Sequence, residues 1–103
     1  MASAKERDLY NETFARLTEL KATADRARSL SQLYANAVLP QARAAVESAL
    51  SAYQVGRVDY TTLINNELTL NRYEIEAVRL TAEYHQAVAE LEALVGTALG
   101  GTQ

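Results

Sequence analysis

Tyr53-Gln54-Val55-Gly56-Arg57-Val58-Asp59-Tyr60 decides the fold, because each of its central residues suits one position of a tight junction between two helices. Gly56 enters the left-handed region of backbone space without a Cβ penalty, which fits the position just past a helix C-terminus. Asp59 can accept a hydrogen bond from the free N–H groups that open a new helix, and its charge suits the positive end of that helix dipole. Val58, before the cap, and Leu63, on the fourth helical position, have the spacing of a hydrophobic staple. Three independent signals therefore predict a helix–turn–helix junction, with the turn at 56–59 and its tip over 55–59.

The composition agrees with helices on both sides. The 103 residues are 49% hydrophobic but lean in large core formers, with six Tyr, one Phe and no Trp. Only Pro40 and four glycines, three of them near the C-terminus, could interrupt helix. No stretch alternates between β-branched or aromatic residues and polar ones, so the expected fold is all-α. Ten basic and thirteen acidic residues, well mixed, give a net charge of -3 and no basic stripe for a phosphate backbone, so no nucleic acid is expected as partner. The chain has no cysteine, which excludes disulfides and thiolate metal sites. No apolar run approaches the roughly 20 residues of a membrane span, and Met1-Ala2-Ser3-Ala4-Lys5-Glu6 lacks a signal-peptide core. No membrane insertion is expected of this segment, which alone should be soluble.

From about residue 4 to 55 the pattern is helical, and Pro40 predicts a kink or short break around Asn36–Pro40. Tyr10, Phe14, Leu17, Leu20, Ala24, Ala27 and Tyr34 form an apolar stripe, continued by Ala42, Ala45, Val46, Ala49, Leu50 and Tyr53. The second helix, about residues 60–96, carries a heptad seam. Leu63, Leu70, Ala77, Tyr84, Leu91 and Ala98 alternate with Asn66, Tyr73, Leu80, Ala87 and Leu94. That period predicts a long antiparallel hairpin packed as a coiled coil. The second helix would be about 55 Å long at 1.5 Å per residue. Ile64, Leu68, Ile75, Val78, Ala82 and Ala89 form another apolar row on the b and f positions, away from the seam. A hairpin covers one face of each helix, so the single domain 1–103 is expected to self-associate or pack in a helical barrel. Gly96, Gly100 and Gly101 predict a helix end near 96 and a frayed tail over 97–103.

Residues that could carry chemistry are few. His85 is the single histidine, and the positions one turn away hold Thr81, Ala82, Val88 and Ala89, none of them a metal or acid–base partner. Glu74, Glu76, Glu83, Glu90 and Glu92 fall mainly on e and g positions, where carboxylates solvate a seam and set partner choice. Tyr34, Tyr53, Tyr73 and Tyr84 recur along the apolar seams as packing residues. Asn65 and Asn66 are polar where a coiled coil prefers apolar side chains, which fits either a register-fixing asparagine or a pore lining. Without a phosphate loop, nucleophile elbow or zinc signature, the chain is read as no enzyme, with no cofactor and no metal.

Three stretches carry a family resemblance: Leu39-Pro40-Gln41-Ala42-Arg43, Ala52 through Tyr60, and Tyr84-His85-Gln86-Ala87-Val88-Ala89-Glu90-Leu91-Glu92 with Leu94-Val95-Gly96. From about Tyr34 to Gly96 the chain resembles one periplasmic helical hairpin of the TolC-like outer-membrane efflux proteins, while the first thirty residues match only as compatible coiled coil. Members of that family are trimers whose helices form a periplasmic tunnel below an outer-membrane β-barrel. The resemblance implies a transport role in a tripartite export system, as the periplasmic part of a cell outer-membrane protein. Carried over by position, Val55, Gly56 and Arg57 would contact a periplasmic adaptor (membrane fusion) protein, with Val58 and Asp59 shaping the tip. Thr62 and Asn65 stand where several relatives have pore-constricting acidic residues. A full member has two such hairpins and barrel strands, so this chain would be a piece of one, expected to form a dimer or bundle by itself. The rival expectation is an autonomous coiled-coil interaction module without a transport role.

Overall fold

The computed structural model describes residues 2–100, with side-chain surroundings for residues 4–97. Four helical elements follow one another: α1 (Ala2–Leu33), a π-turn segment (Tyr34–Val38), α2 (Leu39–Gln54) and α3 (Tyr60–Gly100). The fold is all-α, and no strand occurs among the described residues.

The π-turn is the form that the expected break at Pro40 takes. Pro40 has no N–H to donate to the Asn36 carbonyl, and its ring crowds that group. A wider turn relieves both problems: the Leu39 N–H reaches back to the Tyr34 carbonyl, while Leu33 and Leu39 keep helical dihedrals of -61°, -44° and -66°, -45°. The helix is locally widened, not interrupted. At the other end, Gly96 does not stop α3, which continues to Gly100. Glycine keeps its N–H, so mid-helix it costs only about 1 kcal/mol relative to alanine. The Thr97 hydroxyl also donates to the Ala93 carbonyl at 2.9 Å. Of the expected frayed tail, 101–103 lies outside the described residues.

The residues form two compact units. In the unit Ser29–Thr81, Ala42 and Ala49 of α2 and Leu63 and Leu80 of α3 are buried. Leu80 is the largest fully enclosed side chain among the described residues, at 1% exposure. Enclosing a leucine contributes about 1.5–3 kcal/mol. The Ser31 and Thr81 hydroxyls lie 3.3 Å apart, the Tyr34 and Tyr73 rings meet edge-on at 6.1 Å, and the Tyr53 and Tyr60 rings sit 5.7 Å apart. These contacts pair late residues with early ones, so chain direction reverses at the turn.

The other unit comprises the chain up to Arg28 and from Ala82 onward. It buries Leu20, Ala24, Ala27 and Ala87, flanked by ion pairs Arg16–Glu90 at 3.2 Å and Arg26–Glu83 at 3.0 Å. Glu83 and Glu90 thus do at g positions what the heptad assigned to them.

Most seam positions of α3 are at least half-buried, each within its own unit. Leu63, Leu80 and Ala87 are buried, Asn66, Leu70, Ala77, Tyr84, Leu91 and Leu94 are half-buried, and Tyr73 lies at its edge. Ala98 has no described side-chain surroundings. Most of the second row faces outward: Leu68, Ile75 and Val78 are 53%, 62% and 70% exposed, and Ala82 and Ala89 are exposed, while Ile64 is half-buried. The N-terminal stripe is narrower than its spacing suggested, because Tyr10 and Phe14 are exposed, as are Ala45, Leu50 and Tyr53. Periodicity fixes which residues share a face, not how far a partner covers it.

Candidate functional site

The tip of the turn is built from both sides by local backbone chemistry. After Gln54, Val55 leaves helical geometry (φ -101°, ψ 8°) and Gly56 takes φ +76°. The Gly56 N–H donates to the Tyr53 carbonyl at 3.0 Å and the Arg57 N–H to the Ala52 carbonyl at 2.8 Å. That bond pair is a Schellman motif, which satisfies carbonyls left open at the end of α2. Two residues later the Thr62 N–H donates to Asp59 Oδ1 at 2.9 Å, and the Thr62 hydroxyl donates to the same oxygen at 2.8 Å. Asp59 is therefore the N-cap of α3. The Thr62 amide, and after it the Thr62 hydroxyl, hold the Asp59 carboxyl below its ordinary pKa of 3.8.

Between these anchors the outermost residues touch little of their own chain. Val55 is 69% exposed, Arg57 and Gly56 are exposed, and a Cβ built on Gly56 would meet nothing within 4 Å. Val58 is half-buried and Leu63 is buried, the burial a hydrophobic staple requires. The turn thus brings all five expected tip residues, Val55 to Asp59, into one compact segment. Thr62 and Asn65 lie one turn further along α3, both exposed, with the Thr62 hydroxyl committed to the cap. Asn66 is half-buried and donates its side-chain amide to the Thr62 carbonyl at 2.9 Å, so its polar group is satisfied locally.

No family model matches the chain, and neither a curated protein nor a solved structure matches it significantly.

Two features near the tip lie beyond the five residues read from the sequence. An open groove of about 660 Å³ runs along α2 to the tip, lined by Ala44, Ser48, Ser51 and Ala52 and bordered by Glu47, Val55 and Arg57. Ala44, Ser48, Ser51 and Val55 recur every three or four residues, so a face of small side chains leads up to the turn. That spacing was visible in the sequence, but alanine-rich helices make such faces common. The other feature is the Tyr53–Tyr60 ring pair, whose members straddle the turn with 40% and 59% exposure.

His85 is exposed, its ring 5.4 Å from that of Tyr84. No group of three His, Asp or Glu residues could hold a metal ion among the described residues. No helix in the described residues is long and apolar enough to cross a membrane.

Proposed function

We propose that this chain is a stave of the periplasmic tunnel of a TolC-like outer-membrane efflux channel, and that its tip docks the helical hairpin of a periplasmic adaptor in a tripartite export system. The observation that carries the proposal is the geometry of the tip. Val55, Gly56 and Arg57 project from a turn clamped by the Schellman bonds on one side and the Asp59 cap on the other. A surface fixed in this way loses little conformational freedom when a partner arrives. The small-residue groove on α2 admits the close approach of a second helix, with Glu47 and Arg57 available to charged groups on its rim.

The rest of the chain fits the same role. The heptad spacing of α3 is compatible with the coiled-coil hairpin that such a wall element requires. The outward row Leu68, Ile75 and Val78 gives that element a lateral contact for a neighbouring helix. In such a wall Thr62 and Asn65 line the pore with uncharged polar groups near its mouth. Export would then be conduction through a duct opened by docking, with no bond made or broken by these residues.

The test is transport. Deleting the encoding gene should raise cellular accumulation of an exported dye, drug or metal ion, and the unaltered gene should reverse it. Arg57→Glu, present in the envelope at equal amount, should fail to reverse it. Accumulation unchanged by the deletion would leave the chain as an interaction module without a transport role.

A further inference from the structure

The outward row of α3 has a charge pattern that selects its occupant. Read as a seam of its own, Leu68 and Ile75 take a positions, Ile64, Asn71 and Val78 take d positions, Glu67 and Glu74 take g, and Arg72 and Arg79 take e. Leu68, Asn71, Ile75 and Val78 are exposed, as are Glu67, Arg72, Glu74 and Arg79 on the flanks. In a parallel pair of helices, a g residue lies beside the partner's e residue of the following heptad; in an antiparallel pair, g meets g and e meets e. Parallel, in-register pairing of two copies therefore sets Glu67 beside Arg72 and Glu74 beside Arg79, on both sides of the seam. Antiparallel pairing sets Glu against Glu and Arg against Arg.

We propose that this row is an interface for a second copy of the chain, α3 against α3, parallel and in register. Asn71 then faces Asn71 of the other copy, and two buried amides that can bond only to each other penalise any slipped register. Arg79 also holds Glu76 of its own helix, through Nε at 2.9 Å and Nη2 at 2.5 Å. The row spans little more than two heptads, so the pair forms and separates with concentration. Parallel pairing points both tips the same way. The inference does not depend on the efflux reading, since it rests on the pattern of this one face.

Because the chain has no cysteine, single substitutions report the orientation directly. Leu68→Cys and Val78→Cys, each alone under mild oxidation, should form disulfide-linked dimers, because parallel in-register seams bring identical positions within disulfide reach. A charge test changes exposed side chains; Arg79→Glu also removes the Arg79–Glu76 pair within α3, which is exposed enough for the helix to persist. Glu67→Arg with Glu74→Arg, and separately Arg72→Glu with Arg79→Glu, should each weaken self-association at least about tenfold in sedimentation equilibrium. A one-to-one mixture of those two proteins should recover it as a heterodimer, with helicity unchanged throughout. The proposal is overturned if the unaltered chain stays monomeric at all concentrations. Disulfides that form only when Leu68→Cys and Val78→Cys are mixed, or a charge-swapped mixture that fails to associate, also overturn it.

Discussion

Replacing Gly56 by alanine isolates the conformational part of the turn. A Cβ at this position meets nothing within 4 Å, so the substitution introduces no clash, and its cost comes from holding φ at +76°. For an L-residue with a side chain, that conformation costs about 1–2 kcal/mol. The stiffer unfolded chain of the alanine variant returns about 0.4–1 kcal/mol. The difference is a destabilisation of about 1 kcal/mol, or roughly 5 °C in midpoint for a chain of this size. Urea and thermal unfolding followed by helical circular dichroism, at a dilution where the protein is monomeric, would measure it. Gly56→Asn should lose less, since asparagine tolerates the left-handed region. D-alanine introduced at the same position by ligation should cause no loss. An unchanged midpoint for Gly56→Ala would refute the left-handed turn, and a loss above about 3 kcal/mol would show packing that the open space around Gly56 excludes.

Leu80→Ala should cost about 2–5 kcal/mol in the same urea assay, whereas Ile75→Ala on the exposed row should stay within about 0.5 kcal/mol for the monomer. Acid sensitivity should centre on the cap. Asp59 has its pKa lowered below 3.8 by the Thr62 amide and hydroxyl, so its contribution is complete above that value and is lost as pH falls through the lower, folded-state one. Glu76, lowered from 4.5 by Arg79, adds to stability in the same direction. Asp59→Asn keeps a good cap and removes the charge, so its acid unfolding curve should be flatter than that of the unaltered chain; an identical curve would contradict the cap's role. Arg26→Ala should cost about 1 kcal/mol, with the cost fading in added salt, because the Arg26 side chain is 60% exposed although Glu83 is half-buried.

The turn was legible in the sequence almost atom by atom, because its positions answer to local chemistry: a glycine for positive φ, an aspartate for open N–H groups. The seam of α3 was legible for a related reason, since a heptad holds one face against a partner wherever that partner lies. Three things needed the structure. The exposure of Tyr10 and Phe14 depends on whether a facing helix covers them, which spacing does not encode. The break at Pro40 was expected, but its resolution as a π-turn reflects a choice among ways of removing one crowded bond. Gly96 shows the reverse case, in which a residue that permits a helix end does not impose one. At the tip, sequence supplied the residues and the structure added their presentation, including the small-residue groove on α2 and the tyrosine pair astride the turn.

The most direct test of the proposal that the tip docks an adaptor is site-specific photocrosslinking in the cell envelope. With a benzophenone amino acid at position 55 or 57, and a control at position 72 away from the tip, the adducts would be identified by mass spectrometry. The account predicts that 55 and 57 capture a periplasmic adaptor through its helical hairpin, and that the control does not. Adducts at 55 and 57 that contain no adaptor, in cells where the channel and pump are assembled, would contradict it.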